Sequence, residues 1–281
     1  MDKQKVDFRA YTEYNPQCSV TCITPPDGYY IHTFFDVCPW SPSGRYLVCL
    51  RLPFQDKIPT HKDQADICLI DLQEQTIETL YTTQGWGMQL GAHQFWGKTD
   101  NTLYFNDKKN GLPVGVMFDL YTREAALLEG PFYNHSPEAT YALTPCQIRT
   151  NHTQWGYGVT VAPEYDIQQP AGPLENDGMY KVDLQTGKQT LVLNFAHIYD
   201  ALPDKESYEG CQFYGAHVKV NRQGTRLMFV VRCMRPGEKG MKRMVITCKP
   251  DGSDVTVAIP WQLWDRGGHH PDFHTDGEHV L

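Results

Sequence analysis

A turn followed by an alternating strand recurs along this chain and limits its fold more than any other feature. Clear copies occupy residues 40–50, 220–231 and 273–281, and weaker copies occupy residues 96–105 and 136–143. In the clear copies a glycine precedes the strand: Gly44, Gly224 or Gly277. Glycine readily adopts the positive φ that a tight turn requires, so each copy predicts two strands joined by a short turn.

A second pattern follows the first, and it consists of an apolar strand, a polar turn and another strand. It begins at Ile70, Phe118, Val182 and Cys248. Asp71, Asp119 and Asp183 mark it at intervals of 48 and 64 residues, and the longer interval contains an insertion over residues 155–176. Repeats of roughly 40–50 residues with four strands each are typical of propeller blades.

We therefore predict an all-β fold, a β-propeller of four-stranded antiparallel blades. Four blades cover about residues 38–81, 88–129, 132–195 and 213–260, and a fifth begins near His269. Because the fifth stops within its first strand pattern, we expect residues 1–281 to form a single propeller domain that is C-terminally incomplete. The complete ring would have roughly seven or eight blades. A sandwich or a barrel fits the regular two-pattern repeat poorly.

Composition supports this prediction and excludes several functional classes. With 23 Gly and 19 Pro spread along the chain, we expect only short helices, such as one over residues 193–202. No apolar run approaches the roughly 20 residues of a membrane span. A formal charge of −8 repels phosphate backbones, so we expect no nucleic-acid partner. The polar N-terminus resembles no signal peptide and favours a cytoplasmic location, or a periplasmic or secreted one if the N-terminus was trimmed. The oligomeric state stays open.

The nine cysteines do not form a disulfide pattern, because their number is odd and no Cys-x-x-Cys pair is present, although Cys18 and Cys22 are four positions apart. Four of them lie in apolar runs: Cys49, Cys68, Cys233 and Cys248. We interpret the cysteines as small, buried apolar residues.

Histidines recur just before or within the first strand of consecutive blades, where propeller side chains converge on the central axis. They are His93, His135, His217 and the pair His269–His270. Imidazoles suit metal binding and proton transfer near neutral pH. Each histidine alone is equally compatible with packing or capping, but the recurrence favours at least two functional ones.

A second unusual stretch covers residues 146–158. It contains Arg149, His152, Trp155 and Tyr157 within nine residues. Aromatic rings of this kind can stack on sugars, and arginine can clamp a carboxylate. The alternative is a polar loop with aromatic anchors.

With these residues the chain resembles the β-propeller polysaccharide lyases of the ulvan lyase and oligogalacturonate lyase type. The resemblance extends over nearly the whole chain and depends on residues 39–48, 89–97, 103–107, 156–158 and 177–187 and on His217 with its following turn. It implies a lyase that cleaves uronic-acid-containing glycans by β-elimination. Such an enzyme needs proton carriers beside a positive group that neutralises the uronate carboxylate.

The resemblance also implies roles for individual residues. The expected catalytic residues are His135, His152 and Tyr199. The expected substrate-binding residues are Arg149, Tyr157, Gln212, Arg232 and His93. A divalent metal, zinc or manganese in this family, is expected at His217 and His270. The implied partner is an acidic oligosaccharide or polysaccharide, and a cytoplasmic location favours the shorter ones.

The sequence departs from the ulvan lyase pattern before the metal-site histidine of the fourth blade. Residues 212–214 contain no arginine there, so Arg232 or Arg149 would have to neutralise the carboxylate. The main alternative is a non-catalytic TolB-like propeller that serves as a binding or scaffold module. A prolyl-oligopeptidase propeller is a third, but no hydrolase domain follows, and the chain has no phosphate loop, dinucleotide fingerprint or nucleophile elbow.

Overall fold

A computed structural model describes residues 3–268 and 270–281 of the chain. The chain divides into two compact units, Met1–Leu127 and Leu128–Leu281. The prediction of one domain over residues 1–281 stays a prediction.

The first unit contains two antiparallel sheets and a two-stranded ribbon. In chain order the strands are β1 (Gln4–Lys5), β2 (Arg9–Ala10), β3 (Thr21–Cys22), β4 (Tyr29–Ile31), β5 (Tyr46–Leu52), β6 (Ala65–Asp71), β7 (Thr76–Thr83), β8 (Phe95–Trp96), β9 (Thr102–Lys109), β10 (Leu112–Asp119) and β11 (Ala125–Leu128). The sheets have the orders β1-β7-β6-β5-β4 and β11-β10-β9-β8, and β2 pairs with β3.

The second unit contains two further four-stranded sheets with three short helices. Its elements are β12 (Asn134–His135), β13 (Tyr141–Thr144), α1 (Gln147–Thr153), β14 (Gly178–Asp183), β15 (Gln189–Asn194), α2 (Phe195–Ala201), β16 (Gln212–Val220), β17 (Leu227–Met234), β18 (Lys242–Cys248), β19 (Thr256–Ile259) and α3 (Trp261–Trp264). The sheet orders are β12-β13-β14-β15 and β16-β17-β18-β19.

Strands β4–β7 and each of the three four-stranded sheets form a meander of consecutive antiparallel strands, and the predicted all-β propeller class is confirmed. Three of the four predicted blades match a sheet, but the first sheet begins earlier than residue 38. Its inner strand β4 pairs Tyr29 with Leu52, and β1 adds a fifth strand. The predicted start of a fifth blade at His269 lies outside the described residues, although Phe273 and Val280 are bridged.

The repeated aspartates have a common structural role. Asp71, Asp119 and Asp183 each end the third strand of a sheet, and one carboxylate oxygen of each accepts two backbone N–H groups of the following turn. These bonds satisfy donors that the turn leaves without strand partners. The second sequence pattern therefore recurs because each blade needs the same turn.

The first pattern has a similar cause. The side-chain oxygens of Ser41, Ser136 and Asn221 accept backbone N–H groups at the start of the next strand. Gly44 and Gly224 adopt φ of 74° and 70° in two of these turns. These local bonds fix where each long strand begins.

Apolar clusters hold the sheets together within each unit. In the first unit, buried residues of the two sheets, including Leu50, Phe105 and Phe118, form one cluster. Val6 and its neighbours cover the other face of the first sheet. In the second unit, Phe195 of α2 stacks on Phe229 of β17 with 6.0 Å between ring centres.

The predicted short helix is present, and most but not all of the cysteines are shielded from solvent. A helix at Phe195–Ala201 confirms the prediction over residues 193–202. Cys49, Cys68, Cys233 and Cys248 are buried as expected. The expectation of burial is wrong for Cys18 and Cys38, which lie exposed outside the apolar strands. Within the described residues, no helix combines the length and the apolar character that a membrane crossing requires.

Candidate functional site

Strands β16, β17 and β18 place three polar side chains in one row. Tyr214 is the register partner of Arg232, and Arg232 is the register partner of Arg243. Directly paired residues of an antiparallel sheet point to the same face, and adjacent strands lie about 4.7–4.9 Å apart. The two arginines therefore leave the sheet side by side.

Arg232 is buried despite its charge, with 7% of the residue exposed. Its guanidinium donates to Thr153 Oγ1 at 3.0 Å and to Gln154 Oε1, and its buried Nε–H has no hydrogen-bond partner among the described residues. Burial, together with the nearby charge of Arg243, lowers the pKa of Arg232 to about 10. The side chain therefore remains charged at neutral pH, without its full complement of hydrogen bonds.

The last residue of helix α1, Thr153, and its C-cap residue Gln154 supply the two acceptors, because α1 packs directly on β16. Thr150 Oγ1 donates to the carbonyl of Gly215 at 3.0 Å, and Gln147 Nε2 donates to the carbonyl of Phe132 at 2.6 Å. A Cβ at Gly215 would lie 2.7 Å from Pro145 Cβ, so glycine permits this close approach. The last turn of α1 is thereby held over the arginine row.

His217 is directed by an irregularity in β16. Gly215 pairs with Val231 and Val218 pairs with Phe229, so two residues of β16 face one residue of β17. Such a β-bulge changes the direction of a side chain. His217 Nδ1 shares a hydrogen bond with the hydroxyl of Tyr133, which lies 84 positions earlier in the chain.

Three rings surround His217 edge to face. The ring centres of Tyr133, Tyr157 and His270 lie 5.5, 6.0 and 6.5 Å from that of His217. Two of the predicted histidines and one predicted tyrosine thus meet in the second unit.

A cavity of about 440 Å³ joins these groups. Its polar lining consists of Thr153, Gln154, His217, Arg232, Arg243 and His270. The remaining wall is mainly apolar and includes Val230 and Trp264. A concave site with an apolar wall and a few convergent polar groups is the usual form of a small-molecule site.

The cavity is basic although the chain is acidic. No aspartate or glutamate is among the described lining residues. Its charged lining residues among those described are Arg232 and Arg243. A local excess of positive charge in a concave site attracts anions even on a protein of net charge −8.

His152 lies near the other end of the row, in the last turn of α1. Its Nε2 bonds to Asp166 Oδ1 at 2.7 Å, and its ring meets that of Tyr214 edge to face at 6.3 Å. A carboxylate on one ring nitrogen fixes the orientation of an imidazole, as in many proton-transfer sites. His152 is three-quarters buried rather than part of a loose loop.

Other predicted residues of the second unit have partners of their own. Arg149 forms an ion pair with the buried carboxylate of Asp177 at 2.5 Å. The amide of Gln212 donates to the carbonyl of Gln169 and accepts a bond from the hydroxyl of Tyr214 at 3.0 Å. Arg149 is thus already neutralised, which leaves Arg232 as the better of the two proposed carboxylate ligands.

Of the ten predicted site residues, seven are not among the described lining of the cavity: His152, Arg149, Gln212 and Tyr157, described above, and His135, Tyr199 and His93. His135 Nδ1 bonds to the carbonyl of Ser136 at 2.9 Å. The hydroxyl of Tyr199 donates to the carbonyl of Lys205 at 3.5 Å. His93 is buried in the first unit, with φ of 50°.

The predicted metal site at His217 and His270 was compared with the donors present. At about 2.0–2.1 Å per bond, two imidazoles on one tetrahedral ion have ring centres roughly 5 Å apart, whereas these lie 6.5 Å apart. The described residues contain no group of three His, Cys, Asp or Glu side chains that could hold an ion. Arg232 and Arg243 also line the same cavity and repel a cation. The described residues therefore do not fit a divalent metal.

The structure adds residues that sequence reasoning did not assign. Tyr133 contacts His217, Arg243 stands beside Arg232, Tyr214 continues their row, and Asp166 holds His152. Tyr133 precedes the first strand of its blade and so shared the positional signal of the histidines. Neither Arg243 nor Asp166 precedes the first strand of a blade, so their positions in the sequence did not indicate a role. The register of β18 places Arg243 at the candidate site, and the path of the insertion places Asp166 there.

Among three similar solved structures, the first has a TM-score above 0.5 and supports the fold. An oligogalacturonate lyase in complex with manganese superposes with a TM-score of 0.51, at 16% sequence identity over 98% of this chain and 77% of that chain. Oligogalacturonate lyase from Vibrio parahaemolyticus has a TM-score of 0.49, at 15% identity over 98% and 77%. TolB from Acinetobacter baumannii has a TM-score of 0.49, at 13% identity over 95% and 51%.

The chain therefore spans about half of the TolB chain and about three quarters of the lyase chains. At these identities the likeness shows the propeller fold alone. No protein-family model matches the sequence, and the comparison with curated proteins finds no match.

Proposed function

We propose that this protein binds uronate-containing oligosaccharides in the cavity of the second unit and cleaves them by β-elimination. The observation that carries the proposal is the pair Arg232–Arg243, which lines the cavity without a carboxylate partner among the described residues. The sequence resemblance to β-propeller lyases agrees with it, and the likeness to an oligogalacturonate lyase supports it at the level of the fold.

The arginine pair favours an anionic ligand for an energetic reason. Like charges placed directly opposite each other in a sheet destabilise it. A carboxylate between the two guanidinium groups would replace this repulsion with charge-assisted hydrogen bonds, for which arginine has suitable geometry. The orphaned Nε–H of Arg232 is one donor that such a ligand could satisfy.

The same pair would assist the chemistry. In β-elimination a base removes the proton on C5 of the uronate. The electron pair forms the C4–C5 double bond while the C4–oxygen bond breaks, and an acid protonates the departing oxygen. Negative charge develops toward the carboxylate as the C5 proton leaves, and neighbouring guanidinium groups stabilise it. The products are an unsaturated uronate and a new sugar end, so no oxidant is required.

His152 and His217 are the proposed proton carriers. His152 is oriented by Asp166, and His217 is linked to the hydroxyl of Tyr133. His217 lines the cavity, and His152 lies in the last turn of α1 next to the lining residue Thr153. Neither His135 nor Tyr199 is among the described lining residues. The divalent metal implied at His217 and His270 has no part in this proposal, because the described residues do not fit it.

A binding module without catalysis is the second candidate. The three residues expected to be catalytic from the resemblance, His135, His152 and Tyr199, each bond to a different local partner. Separate partners for these three residues are expected if the protein is a TolB-like scaffold rather than an enzyme. The basic cavity would then bind an acidic glycan and release it unchanged.

The test measures binding and cleavage together. Oligogalacturonates and ulvan fragments are titrated calorimetrically, and the ultraviolet absorbance of the unsaturated uronate is followed in parallel. The variant is Arg243→Gln, and the matched control is Arg222→Gln, an exposed arginine of the turn between β16 and β17. Hydrogen bonds to charged groups contribute about 1.5–3 kcal/mol, so the Kd of Arg243→Gln should rise roughly 10–100-fold and that of the control should not change.

Binding with a rise in absorbance supports the lyase. Binding without any rise selects the binding module. If the folded protein binds none of these glycans, or if Arg243→Gln binds as tightly as the wild type, the proposed site is wrong.

A further inference from the structure

Trp155 is an exposed aromatic residue of the second unit, and it directly follows a residue that lines the cavity. It is 72% exposed, whereas Trp86 and Trp96 of the first unit are buried. Its preceding neighbour Gln154 lines the cavity and accepts a bond from Arg232. Single exposed aromatic side chains are common on protein surfaces, but this indole directly follows a residue that lines the cavity.

The exposure of Trp155 is imposed by an ordered turn. The backbone N–H of Gln154 donates to the carbonyl of Thr150 at 3.0 Å, and that of Tyr157 donates to the carbonyl of Gln154 at 3.2 Å. Gly156 adopts φ of 84°, a conformation that glycine allows. The turn is thus tied to helix α1 on the side where it leaves the helix.

The turn is also packed tightly where it ends. The N–H of Gly158 donates to Asn151 Oδ1 at 3.0 Å, and a Cβ at Gly158 would lie 1.9 Å from the carbonyl oxygen of Gln147. The ring of Tyr157 meets that of His217. Gln154 and Tyr157 therefore turn inward on either side, and Trp155 is held outward between them.

We propose that Trp155 is a stacking subsite for a second sugar ring, next to the ring whose carboxylate lies at Arg232 and Arg243. The flat apolar face of an indole suits the C–H face of a pyranose. The site would then prefer uronate oligosaccharides to single uronate residues. This inference rests on the proposed function and extends it to chain length.

The experiment compares ligands of increasing length. Galacturonate, digalacturonate and trigalacturonate, and the corresponding glucuronate series, are titrated into the wild type, Trp155→Ala and Trp155→Phe. The control variant is Tyr121→Ala, which removes an aromatic that is 88% exposed in the first unit. Circular dichroism confirms that each variant is folded.

We expect Trp155→Ala to weaken oligomer binding roughly tenfold, to leave monomer binding unchanged and to remove the length preference. Trp155→Phe should retain most of the preference, and Tyr121→Ala should match the wild type. In the wild type, a bound trimer should protect tryptophan fluorescence from iodide, whereas the monomer should not.

The outcomes separate the two proposals. If the wild type binds the oligomers and Trp155→Ala binds them equally well, or if iodide quenching is unchanged by the trimer, the stacking subsite is wrong and the arginine site stands. If the wild type binds neither series at any length, both are wrong.

Discussion

Replacing Arg232 by methionine should remove ligand binding without destabilising the fold. Arg232 is 7% exposed, carries its charge at neutral pH and has no acidic partner among the described residues. Burial lowers its pKa to about 10. An exposed arginine has a pKa of about 12.5, and each tenfold change in proton affinity is worth about 1.4 kcal/mol.

The charged side chain therefore costs the folded protein roughly 3 kcal/mol at pH 7. Because the folded pKa lies below the unfolded one, this cost is fully present at neutral pH, begins to fall as the pH rises through the folded pKa and is gone above the unfolded pKa. Methionine removes the cost but also removes hydrogen bonds from the charged guanidinium to Thr153 and Gln154, each worth at least about 1.5 kcal/mol. The two effects are of similar size, so the expected net change in stability lies within about 1 kcal/mol of zero.

Urea unfolding at pH 7 measures this difference. The control variant is Arg222→Met, which removes an exposed arginine and should change the free energy of unfolding by less than about 0.5 kcal/mol. Titration with a uronate oligosaccharide should show that Arg232→Met no longer binds. If Arg232→Met is less stable than the wild type by more than about 2 kcal/mol, the charge stabilises the free protein, and the reasoning from an uncompensated cation is refuted.

Two further predictions concern thiol reactivity and acid stability. Alkylation of the native protein at pH 8, followed by mass spectrometry, should label exposed Cys18 and Cys38 first and spare Cys68, whose pKa burial raises to about 11; fast labelling of Cys68 would contradict its burial. The backbone N–H of Thr186 donates to Asp183 and holds the pKa of that carboxyl below its usual range. The stability that this ionised carboxylate contributes is therefore present above about pH 4 and is lost as the pH falls through the lowered pKa. The urea midpoint should fall in acid less steeply for Asp183→Asn than for the wild type. If the midpoints of the two proteins depend on pH in the same way, Asp183 is not a source of the acid-dependent loss of stability.

The blade repeat could be predicted from the sequence because its causes are local. Gly44 and Gly224 take the positive φ of their turns, and the side chains of Ser41 and Asn221 bond to backbone groups within five residues. Asp183 acts on N–H groups two and three residues ahead. Residues that act over such short separations leave a pattern that any copy of the repeat must carry.

The candidate site could be predicted only in part. His217 and His270 share a position in the repeat, and they do meet. Tyr199 was chosen by position in the chain alone, and the helix that contains it packs on Phe213. Sequence position indicates which end of a blade a residue occupies but not which neighbour its side chain reaches.

The sequence by itself determined the class of fold, the places where strands start and turn, and the basic and aromatic residues available for an anionic ligand. Tertiary structure decided which of them act together. The register of β17 and β18 set Arg243 beside Arg232, and a single extra residue in β16 turned His217 toward Tyr133. Register and bulges depend on pairing between distant segments, where a shift of one residue sends a side chain to the opposite face.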